Sequence, residues 1–199
     1  MNENRIDLAK WIQILIYIAI AGLINVLIGI PAFVPAVVTT CVSRILLAAM
    51  VFAMFQLAPT NERYKKAAIQ RAIVLVLSVV TDILHSGAVL TLIAGTLSIV
   101  ADYQEYHGHS ELIEEKDHQL SGKWKSLFMW SIIVGLILGF TSTAAGILVV
   151  MADMDTTKAT ILIAAILAIP QYIIEILYIL YLKKMIAIFA EGYDGMEVR

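Results

Sequence analysis

The chain has 199 residues, of which 60% are hydrophobic and 15% charged, with a mean hydropathy of +0.86 and a formal net charge of −2. Too little polar surface remains to cover a water-soluble domain of this size, and the slightly acidic balance argues against nucleic acid as a partner. A single cysteine, Cys41, excludes an intramolecular disulfide.

The apolar residues come in long blocks, each near the roughly 20 residues that cross about 30 Å of hydrocarbon as a helix. The first predicted span runs from about Lys10 to Ile30 and ends in a Pro31 to Pro35 turn; the second runs from about Ala36 to Leu57 and stops before Pro59. Arg5 and Lys10 ahead of an apolar run also resemble a secretion signal, but the run is too long for one, so a retained helix is expected. The third span covers about Ala67 to Leu84, and a His85-Ser86-Gly87 break separates it from a shorter fourth over about Ala88 to Asp102. A loop over about 103–126 carries five acidic residues against three lysines and reads as a solvated helical extension on the cytoplasmic side. The fifth span covers about Leu127 to Met151 and the sixth about Ala159 to Leu182, with Pro170 as a kink. The fold class is therefore all-α, a single polytopic membrane bundle of six helices in the cell membrane.

Orientation follows from the cations, because Lys and Arg in short loops stay on the cytoplasmic side. Six spans place twelve of the fourteen inside, with Lys158 outside and Arg44 within a span; merging the third and fourth spans into one would erase the bias. Both termini are thus expected in the cytoplasm. Trp11, Trp124 and Trp130 fall at cytoplasmic helix ends, where such rings anchor at the headgroups.

Charged groups inside spans are costly, about 2.5–3.5 kcal/mol on insertion scales, so they need partners or water. Arg44 lies in the second span; Ser78, Thr81, Asp82 and His85 make one stripe of the third; Gln171, Tyr172, Glu175 and Tyr178 follow Pro170 in the sixth; Asn25 lies in the first. These stripes are expected to face each other, with Arg44 paired to Asp82 and Glu175 left to hold a proton or cation. Asn25, Arg44, Ser78, Asp82, His85, Gln171, Tyr172 and Glu175 therefore form the expected path for a small solute or cation. The competing reading is a structural ion-pair network in a non-catalytic subunit, whose acidic loop and Glu191 to Arg199 tail recruit a cytoplasmic protein.

Gly135, Gly139 and Thr143, and Gly87, Thr91 and Gly95, stand four apart; this spacing suits close packing of helices four and five, or a homo-oligomer through helix five. His107, His109 and His118 among acids could ligate a metal, although a di-iron bundle needs two Glu-x-x-His copies and only one is present, so no metal or other cofactor is expected. No nucleophile elbow, P-loop, zinc-protease or dinucleotide motif occurs, which leaves an enzyme using His85 with Asp82, or a pH gate at His85, as minor readings.

Overall fold

The computed structural model describes the backbone of residues 3–29, 34–84, 88–151 and 156–194, and the side chains of 8–29, 34–84, 89–141 and 169–190. Six helices follow in order: α1 (Glu3–Gly29), α2 (Ala36–Leu57), α3 (Glu62–Leu84), α4 (Ala88–Ile113), α5 (His118–Met151) and α6 (Thr156–Asp194). Their ends carry the expected signals. Pro35 stands at the N-cap of α2, the Asn61 side chain accepts from the Arg63 amide at 2.8 Å, and Asp117 accepts from the Leu120 amide at 2.8 Å.

Each helix packs on its neighbours in the chain, and α6 returns to pack on α1. The result is a closed ring of six helices, with the α3–α4 interface the most extensive. Leu8 and Ile12 of α1 share a core cluster with Leu182, Met185 and Phe189 of α6, so the start of α1 and the end of α6 meet at one end of the bundle. That end also carries Lys10, Arg63, Lys66, Lys123, Lys183 and Lys184, and is called the basic end below.

Burial is uneven along the ring axis. At the basic end Leu15, Met54, Leu57, Tyr64, Ile113, Leu120, Trp124 and Leu182 are buried in one continuous core. Towards the far end, among the described residues, Val74 and Ala94 are the last buried side chains, while Val37, Leu92 and Phe140 are exposed by 72%, 72% and 76%. Apolar side chains this exposed are stable in hydrocarbon and costly in water, at about 25 cal/mol per Å². Among the described residues, the segments Leu8–Gly29, Ala36–Leu57, Glu62–Leu84 and His118–Thr141 are long and apolar enough to cross a membrane.

Three expectations change. The fourth helix is not short: it runs on to Ile113, and α5 already begins at His118. Residues 103–126 are helical as expected apart from the turn after Ile113, and Glu111, Glu115, Lys116 and Lys125 are exposed, but the segment is not solvated throughout, since Glu105, Tyr106, His109, Ser110, Ile113, Leu120 and Ser121 are buried in the basic-end core. Trp124 is no headgroup anchor either. It is fully buried, with ring centroids of Tyr106, His109, Tyr178 and Tyr181 at 5.7, 4.6, 5.5 and 5.5 Å. Trp130 is 56% exposed.

Candidate functional site

Where the packed core stops, the ring opens into a cavity of about 450 Å³ bounded by all six helices. Leu15, Gly22 and Asn25 of α1 and Ser43, Leu47 and Met50 of α2 line one side; Arg71 of α3, Asp102 and Glu105 of α4, Ser131 of α5 and Gln171, Tyr172 and Glu175 of α6 line the rest. The α1–α2 wall is mostly apolar, and the α4–α6 wall carries the acids. This size falls within the range of small-molecule sites.

Its floor is an ion-pair cluster. Arg71 donates from Nη2 to Asp102 Oδ1 at 2.6 Å and to Glu105 Oε2, while the Tyr178 hydroxyl donates to Glu105 Oε1. Glu105 is completely buried and Arg71 nearly so. Beneath it, His109 Nε2 lies 3.6 Å from Glu105 Oε1, too far for a hydrogen bond, and Nδ1 is 2.8 Å from the Tyr64 hydroxyl. A proton on Nε2 faces the carboxylate favourably, and this tautomer lets Nδ1 accept from Tyr64. Gly108 lets α3 approach here: a Cβ on it would stand 3.2 Å from the Tyr64 ring and 3.5 Å from Arg63 Cβ.

Glu175 stands apart from this cluster. It accepts from the Gln171 amide at 3.3 Å, a neutral i, i+4 neighbour on its own helix. Among the described residues, the cavity thus holds one guanidinium, already engaged by two carboxylates, and a third carboxylate without a cation in contact.

Arg44 pairs with Asp82 as its spacing suggested, with Nε to Oδ2 at 3.2 Å and Nη2 to Oδ2 at 3.1 Å. The pair is 32% and 46% exposed and lines a separate recess of about 390 Å³ between α2, α3 and α4, with Ser78, Thr81, Thr91 and Gly95. Ser98 lines both spaces. The polar stripes therefore do not meet as one. Asn25, Gln171, Tyr172 and Glu175 reach the cavity, whereas Arg44, Ser78 and Asp82 border the adjoining recess. Asn25 also braces α1 on α2, donating to the Thr39 carbonyl at 3.1 Å and the Ser43 hydroxyl at 2.9 Å. His85 lies outside the described residues, as do the side chains of Thr143 and Lys158.

The three histidines of the former loop diverge. His109 bonds to Tyr64, His107 Nδ1 sits 3.0 Å from the Tyr103 carbonyl of its own helix, and His118 is open to solvent beside Glu114. Among the described residues no three His, Cys, Asp or Glu side chains converge to hold a metal. At the surface of this end, Arg63 Nε donates to Glu111 Oε1 at 2.6 Å and Asn61 donates to Glu111 Oε2 at 3.1 Å. Burial works to raise the Glu111 pKa, but these two hydrogen bonds and the guanidinium charge hold it below its ordinary value. Burial lowers that of His107, against the pull of its bond to the Tyr103 carbonyl.

Glycine spacing does not bring helices four and five into close backbone contact at the positions expected, since a Cβ on Gly95 or Gly135 would meet no atom within 4 Å.

Residue spacing alone passed over Arg71, Asp102 and Glu105. Arg71 counted as one more cation of the basic end, and the two acids fell at the edge of a loop. The signal was present: Asp102, Glu105 and His109 fall at i, i+3 and i+7, a polar face continuing the fourth helix past its apolar block. Comparison with protein-family models, with curated proteins and with solved structures finds no match.

Proposed function

We propose that the protein is a six-span integral protein of the cell membrane, both termini cytoplasmic, that binds or passes a small solute or ion through the cavity at the centre of its ring. One observation carries this reading: all six helices contribute to a space of about 450 Å³ whose lining includes Glu175, an acid that among the described residues has no cation in contact. A carboxylate placed so is costly as packing material and useful as a binding group. The asymmetry of the ring supports it, with a packed basic end below the cavity and looser walls above.

A subunit or scaffold reading draws on the Arg71 cluster, whose ion pairs to Asp102 and Glu105 tie α3 to α4, and on the exposed face of α5 at Leu136, Ile137 and Phe140, which suits a second copy. It leaves the cavity and Glu175 without a role. The test is a thermal-shift panel on the detergent-purified full chain, covering vitamins, amines, metal ions and lipids, followed by flux in proteoliposomes for each hit. The solute reading expects at least one stabilising compound whose flux falls on Glu175→Gln; a panel without a hit, or flux untouched by that change, counts against it.

A further inference from the structure

Resting on that reading, we propose that the cavity selects an organic ammonium ion, a primary or secondary amine carrying a compact apolar body, with Glu175 as its counter-ion. The argument begins with charge. Among the described groups lining the cavity, Arg71 is the single guanidinium; its Nη2 donates to Asp102 and Glu105, whose two charges outweigh its own, and its buried Nε has no partner. An anionic solute would compete for a cation already committed twice and would meet Glu175 as a like charge. A cationic solute meets the reverse situation, a carboxylate whose hydrogen-bond partner is the neutral amide of Gln171.

The shape of the lining narrows the class. A bare metal ion needs several oxygen ligands around one point, and among the described residues no three acidic, His or Cys side chains converge. Opposite the acids, Leu15, Leu23, Leu46, Leu47 and Met50 offer an apolar wall that an inorganic ion cannot use and a hydrocarbon body can. Tyr106, buried and packed on Trp124, Phe128 and Tyr178, closes the space on the side of the acids. The ligand thus has a charged end for α6 and an apolar end for α1 and α2.

The probe is cyclohexylammonium, measured by calorimetry and thermal shift on the detergent-purified full chain at neutral pH, against cyclohexanol, cyclohexanecarboxylate, sodium and potassium. The inference expects saturable binding of cyclohexylammonium, at least tenfold weaker binding of the alcohol and none of the carboxylate, with affinity falling at least tenfold in Glu175→Gln and partly retained in Glu175→Asp. Glu175→Asp keeps the charge and guards against a Gln variant that fails to fold. Equal binding of the alcohol, preferential binding of the carboxylate or of an alkali cation, or binding indifferent to Glu175→Gln overturns the ammonium assignment. If other compounds of the wider panel bind while cyclohexylammonium does not, the ammonium class falls and the solute reading stands. If nothing binds, both fall.

Discussion

The two ion pairs of this molecule make the same chemical contact in different surroundings. At the floor of the cavity, Arg71 is enclosed with Asp102, Glu105 and Tyr178 and with the packed rings of Trp124 and Tyr106. Towards the far end, Arg44 and Asp82 form a two-pronged pair that keeps a third to a half of its surface open. Burial decides what each contributes. Glu105 is fully buried beside Arg71, so a charge orphaned there has nothing to turn to, whereas Arg44 and Asp82 border the hydroxyl-lined recess of Ser78, Thr81 and Thr91, where other polar groups can replace a lost partner. Among the described residues, the basic end is thus the closely packed base of the bundle and the far half the less buried part.

The largest test of that contrast removes each cation in turn. Arg71→Met leaves Asp102 and Glu105 without their counter-charge and should destabilise the fold by about 3–5 kcal/mol. Arg44→Met should cost clearly less, because its pair is a third to a half exposed to the polar recess. Unfolding in mixed micelles measures both, and equal losses would break the comparison. Next come the tryptophans. Trp124→Ala empties the centre of the aromatic core and should cost about 3–5 kcal/mol, while Trp130→Ala, exposed at its site, should stay within about 0.5 kcal/mol. Glycines give a smaller version of the same contrast. Gly108→Ala pushes a methyl group to 3.2 Å from the Tyr64 ring and should lower stability by about 1 kcal/mol, whereas Gly135→Ala meets open space and should be neutral or slightly stabilising.

Acid should act on the basic end with the smallest effect. Both Glu111 and His107 have pKa values lowered by folding, so each contributes stability that is full above its unfolded pKa and lost as pH falls through the folded one. Stability should therefore begin to fall as pH drops below about 6.5 as His107 is forced to charge, and fall further below about 4.5 as Glu111 protonates and releases Arg63. Glu111→Gln should flatten the lower part of that profile; an unchanged slope in a pH series of melting curves would remove Glu111 from the account.

The apolar blocks made the helices legible, because a run of some 20 apolar residues between Pro35 and Pro59 has few other stable forms. The Arg44–Asp82 pair was legible for the same reason, as two opposite charges in neighbouring hairpin helices. The ring closure was not, since the contact of α6 with α1 depends on side chains far apart in the chain. Nor was the Arg71 cluster. A count of cations by loop treats every arginine near a helix end as a solvated orientation signal, and it cannot distinguish Arg71, folded inward, from Lys66, which pairs with Glu62 at the surface. Trp124 misled in the same way: its position near a helix start suggested the headgroups, and tertiary packing placed it in the core.

The proposed solute path requires the cavity to open towards the far half of the ring and to be sealed at the basic end. Single-cysteine chains in a Cys41→Ser background report on it directly, with Ser98→Cys on the cavity wall and Ser121→Cys in the basic-end core, each exposed to a small water-soluble thiol reagent in proteoliposomes. The account predicts rapid labelling at residue 98 and protection at residue 121 until the protein is unfolded. Protection at 98, or labelling at 121 as fast as at 98, would contradict it.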